Sequence, residues 1–124
     1  MTEGEWDERR RREDATIASV PRPRIRMMAD YMGPPLWDCD DEGSADGILD
    51  ALRPQMRKRL ERWARTYGKW AVPYNPSTEE TDAFEREGVA VWRQLCEELA
   101  GRVSVLYFSQ KRHELVARPE ELLP

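Results

Sequence analysis

Apolar and polar positions alternate over Arg24–Tyr31, with Ile25, Met27 and Ala29 on one side and Arg26, Met28 and Asp30 on the other. A period of two predicts a strand with one well-buried face. Gly33-Pro34-Pro35 ends it, because consecutive prolines cannot continue a ladder, and Leu36-Trp37 then folds back onto the core. Leu52, Met56, Leu60, Trp63 and Tyr67 recur at helical spacing and predict a helix over Pro54–Tyr67. Pro54 suits its first turn and Gly68 its end, with Ile48-Leu49 as a short turn before it. A second helix starts at the capping-box pair Ser77 and Glu80 and runs to about Ala100. Its buried line is Phe84, Gly88, Val91, Leu95 and Leu99, and Gly88 suits a close approach between helices. Arg102–Phe108 reads as a central strand because both of its faces are apolar.

These elements predict a small α/β domain of α+β type, in the order strand–helix–helix–strand. Two helices pack on one face of a two- or three-stranded sheet, with Glu114–Ala117 as the optional third strand. If the two main strands are parallel neighbours, the helical pair is their crossover. Residues 1–19 form a charged leader, mobile or at most a frayed helix. Residues 20–117 form the single domain and residues 118–124 a tail. The edge of so short a sheet makes pairing with a second copy, a homodimer, a secondary expectation.

Composition narrows function mainly by exclusion. No apolar run approaches the length of a membrane span, and no apolar segment follows Arg9–Arg12 to make a secretory signal. With only Cys39 and Cys96, a reduced, cytoplasmic setting is the default. The excess of Arg over Lys points to a GC-rich bacterial genome. Catalytic signals are sparse: His113 is the only histidine, and no phosphate loop, HExxH or CxxC is present. A carboxylate enzyme built on Asp30 with Asp38 or Asp40 needs both acids buried together. No catalytic residues, metal ligands or cofactors are therefore assigned. The loop after Trp37 resembles a calcium loop only in part, since Leu49 stands where the bidentate glutamate belongs.

The net charge of −4 conceals segregation. Asp30, Tyr31, Trp37, Asp38, Asp40, Asp41 and Glu42 combine acids with aromatics, which predicts a rim that binds a basic protein partner. Lys58, Arg62, Arg65 and Lys69 form a basic ridge along the first main helix. A nucleic-acid-associated regulator using that ridge is the alternative, although strongly basic domains are the usual nucleic-acid binders.

MADY (28–31), the Pro-Leu-Trp turn, L-x-R-W-A-x-x-Y (60–67), F-E-x-E-G (84–88) and V-L-Y-F (105–108) together resemble a group of small uncharacterised bacterial proteins. That resemblance spans about Ile25 to Phe108 and implies one domain, without transferring any activity. Small proteins of this sort include immunity proteins for secreted toxins. A non-enzymatic, immunity-type inhibitor of a toxin-like partner is the function expected on that analogy.

Overall fold

The computed structural model describes residues 2–41 and 43–122. Among them the chain forms α1 (Glu3–Ala18), β1 (Arg24–Met27), β2 (Leu36–Asp38), α2 (Asp46–Ala51), α3 (Pro54–Gly68), α4 (Thr78–Glu98), β3 (Ser104–Ser109) and β4 (Glu114–Val116), closed by a 3-10 turn at Pro119–Leu122. The sheet has four strands in the order β2-β1-β3-β4, rather than two or three. β1 and β3 are parallel neighbours, and both outer strands are antiparallel to them.

β4 is the third strand expected at Glu114–Ala117, whereas β2 is the addition, and so short a strand leaves little trace in the sequence. In β2 only Leu36 is buried, so three residues show no period. The Gly33-Pro34-Pro35 turn nevertheless reverses the chain, and the bond from Met28 N–H to Pro35 C=O (2.9 Å) starts the ladder. β4 is reached through a tight turn in which His113 takes a left-handed conformation (φ 55°), one that histidine tolerates better than most side chains. The outer edge of β2 is met by residues 43–45, with bonds from Asp38 N–H to Gly43 C=O and from Ala45 N–H to Leu36 C=O. That edge is thereby occupied from within the chain.

α3 and α4 run along one face of the sheet, over Ile25, Met27, Val105, Tyr107 and Val116. They are antiparallel: Arg53 N–H bonds to Glu98, Arg59 to Glu87, and the Trp63 ring stacks on Phe84. The cap of α4 is the one that its sequence predicts, with Ser77 and Glu80 exchanging side-chain-to-backbone bonds at 3.0 and 3.1 Å. The opposite face carries Leu106, Leu115, Ala117 and Ile17.

Ile17 belongs to α1, so the charged leader is a helix that covers this second face. Thr2 caps its start. Toward its end, Glu13 pairs with Arg26 at 2.9 Å, and Arg24 donates to the carbonyls of Ile17 and Val20. Ile17 is the only buried residue of α1, which is why no apolar period announces it.

Gly88 sits where α4 packs closely on Tyr107 and Trp63. A Cβ there would lie 2.5 Å from the Tyr107 hydroxyl and 3.0 Å from the Trp63 indole nitrogen, and both rings are locked in the core. Gly88→Ala therefore sets a helix-propensity gain of about 1 kcal/mol against overpacking of about 1–3 kcal/mol. The expected outcome is net destabilisation, read as a lower urea midpoint at unchanged slope.

Candidate functional site

β1 and β2 form a hairpin, and its register decides which candidate residues can act together. Met27 faces Leu36 at the turn end and Ile25 faces Asp38 at the other. Asp30 lies beyond the turn end, so it is separated from Asp38 by on the order of 15 Å of extended chain. The proposed rim is therefore two places. Asp30, Tyr31 and the ring of Trp37 share the turn end, where the indole donates to Met28 C=O (3.2 Å) and packs over Gly33. Asp38, Asp40 and Asp41 sit at the far end, and Glu42 lies outside the described residues.

At the far end most of the acidity is engaged within the chain. The Asp38 carboxylate accepts from the backbone N–H of Asp40 and Asp41 at 2.8 and 3.0 Å, holding the loop in shape. Asp40 pairs with Arg24 at 2.9 Å and Arg22 at 3.1 Å. Hydrogen bonding from Arg24 first, then its charge and that of Arg22, holds the Asp40 carboxyl below its ordinary value. Asp41 alone of these three is exposed without an ion pair among the described residues.

The turn end is aromatic. Tyr31 is 46% exposed, yet its ring stacks on Tyr67 at 4.7 Å. Tyr67 in turn meets Trp70 edge-on and Phe84 at a tilt. The Tyr31 carbonyl lies against Gly68, at 3.2 Å from where a Cβ would stand, and Met32 beside it is 98% exposed. Asp30 is exposed and accepts from the Tyr31 N–H (2.7 Å). A buried carboxylate pair is not formed, since both Asp30 and Asp40 are exposed and lie at opposite ends of the hairpin.

Next to this end, α3 and α4 border an open cleft of about 520 Å³. Trp63, Trp70 and Phe84 line its apolar floor, with Tyr74 at one side. Arg62 and Lys69 stand on the α3 lip, Glu80 and Glu87 on the α4 lip. Periodicity places Trp63 and Phe84 on buried stripes and says nothing of Trp70 and Tyr74, which follow α3 in the loop before α4. What periodicity leaves out is that α3, α4 and the loop between them leave a solvent-facing cleft above these rings. The visible hint was the loop KWAVPY, in which Val72 is 93% exposed.

All four ridge residues, Lys58, Arg62, Arg65 and Lys69, are exposed, and none enters an ion pair among the described residues. The α3 side chains that do pair are Arg57, with Asp50 and Glu61, and Arg59, with Glu87. A second, larger cleft of about 940 Å³ lies between α1 and the β3–β4 turn and is lined mainly by charged side chains. No cluster of His, Cys, Asp and Glu able to hold a metal ion occurs among the described residues, and no described helix is long and apolar enough to cross a membrane.

Residues 23–110, from the entry of β1 to the end of β3, match the model of a family described as Serratia CdiI immunity protein-like. Comparison with curated proteins gives no match.

Tyr67 carries the clearest pH signature of the aromatic end. Burial, followed by the Tyr31 hydroxyl and the charge of Asp30, pushes its phenol up to about 12. A phenol raised in the folded state contributes stability that is complete below its ordinary value of 10.0 and is lost as pH climbs toward 12. Thermal midpoints measured across that window should fall with rising pH, and the fall should be shallower in Tyr67→Phe.

Proposed function

The chain belongs to the Serratia CdiI immunity protein-like family, and from that premise we propose that it binds a cognate CdiA toxin and neutralises it by occupancy rather than by chemistry. The toxin-binding face is the aromatic turn end, centred on Tyr31 and Met32. One observation carries this assignment: Tyr31 is nearly half exposed while stacked at 4.7 Å on Tyr67. An aromatic that is both accessible and already ordered meets a partner without a large entropic cost. Met32 adds flexible apolar surface that adapts to the shape of whatever it meets.

The acidic loop contributes less than its composition suggests. Asp38 serves the backbone and Asp40 serves two arginines, so of the far-end acids described only Asp41 is left to meet a basic partner. Asp30 is the acid that stands within the aromatic face itself. Nucleic-acid association through the basic ridge is the second reading, favoured by the absence of ion pairs to Lys58, Arg62, Arg65 and Lys69 among the described residues and opposed by the net charge of −4.

The test is affinity for the purified CdiA toxin domain. Truncating an ordered interface aromatic costs about 2 kcal/mol or more where it is a hot spot, so Tyr31→Ala should weaken binding by more than about tenfold. Asp41→Asn should change affinity little. Equal, negligible effects of Tyr31→Ala and Met32→Asp would remove the toxin-binding face from this end of the molecule.

A further inference from the structure

We propose that the cleft between α3 and α4 receives a toxin segment that carries carboxylates beside one bulky apolar side chain. This rests on the toxin-binding reading and extends it, because the cleft adjoins the aromatic end through Tyr67 and Trp70. The floor supplies the apolar half of the recognition. Trp63 and Phe84 stack at 4.7 Å, Trp70 meets Phe84 edge-on at 5.1 Å, and the Trp63 indole N–H is fixed on Phe84 C=O. These three rings are buried, so a side chain entering the cleft meets the edges of a rigid aromatic layer and the half-exposed ring of Tyr74.

The lips supply the sign of the charge. Both acids of the α4 lip are already engaged. Glu87 holds Arg59 through two bonds of 3.0 and 3.1 Å. Glu80 accepts from the Tyr74 hydroxyl at 2.7 Å and from Ser77 N–H at 3.0 Å. These bonds, the one from Ser77 foremost, hold the Glu80 carboxyl below its ordinary value. Arg59 offsets Glu87, whereas Tyr74 and Ser77 are neutral donors and leave Glu80 its charge. Arg62 and Lys69 enter no ion pair among the described residues, so two free cations face one free carboxylate and the balance at the cleft is positive. A nucleic-acid backbone finds the same cations, but its charge repeats along its whole length and runs onto Glu80 and a chain of net charge −4, whereas a peptide carboxylate needs only Arg62 and Lys69. An acidic peptide segment with an apolar anchor matches both the floor and the lip.

The experiment compares toxin-domain binding by the wild type, Ala83→Trp, the double variant Arg62→Gln/Lys69→Gln, and Tyr31→Ala. Ala83 is exposed and lines the cleft, so a tryptophan there fills it without touching the core. Ala83→Trp should weaken binding by about tenfold or more. The double variant should weaken it by a similar factor and flatten its dependence on salt. Unchanged toxin affinity in both cleft variants, with Tyr31→Ala still weakened, overturns the cleft assignment and leaves the toxin-binding reading standing. A wild type that does not bind the toxin domain overturns both. Binding of a single-stranded RNA oligonucleotide that the double variant abolishes, while toxin binding is unaffected, assigns the cleft to nucleic acid and overturns the proposal.

Discussion

Tyr107 is completely buried in the middle of the sheet, and its hydroxyl has to find a partner there, since an unsatisfied buried hydroxyl is costly. It donates to Glu85 of α4 at 2.5 Å, which forces the backbone of α4 down onto the ring. Gly88, one turn further along, is the residue that permits this approach. The Glu85 carboxylate also takes the Ser109 hydroxyl, and Ser109 accepts in turn from Arg112 N–H. These three hydrogen bonds tie helix to sheet and the end of β3 to the turn that leads into β4. Burial and the Glu85 charge together push the Tyr107 phenol far above its ordinary range, so it stays a donor under all ordinary conditions. Trp63 and Trp92 repeat the device, their indole N–H groups bonding to Phe84 C=O at 3.1 Å and Val105 C=O at 2.7 Å. Among the described residues, no buried side-chain polar atom is left without a partner.

The cleft follows from the same packing. With Trp63 pinned by its indole and stacked on Phe84, neither ring is free to turn outward and close the space above it. Arg59, one turn before Trp63, reaches across to Glu87 and Gln94 and links the two helices below the cleft. Arg62, on the next turn of α3, and Lys69, just beyond its end, enter no ion pair among the described residues. A rigid apolar floor and unpaired cations on the lip are therefore two results of one arrangement in which the nearer arginine takes Glu87.

Much of the fold was legible because its signals are periodic. The stripe Met56, Leu60, Trp63 and the line Phe84, Gly88, Val91, Leu95 occupy the buried faces that their spacing predicts. β3 is central, as its two apolar faces imply. What escaped has no period to show. β2 is three residues long, and α1 buries a single side chain. The candidate site was legible in its ingredients and illegible in its grouping. Asp30 through Asp41 are neighbours in sequence, but a hairpin separates the two ends of that stretch, and only the register reveals it. Composition likewise counts Asp38 and Asp40 as free acids, whereas the loop backbone and Arg22 and Arg24 consume them.

The match to the family ends at residue 110, before β4, and begins at residue 23, after α1. Within those bounds lie the helical pair, the aromatic end and the cleft, which are the parts that the proposed recognition uses. The second face of the sheet is built differently. Of its buried residues only Leu106 lies inside the matched span; Ile17, Leu115 and Ala117 come from the flanks. Leu106 belongs to the central strand and would lose its cover if the flanks were removed. The flanks therefore act on the site indirectly: they seal the back of β3, and β3 carries the Tyr107 whose hydroxyl seats α4. A surface assigned to recognition inside the matched stretch thus depends, through one buried strand, on helix and strand additions outside it.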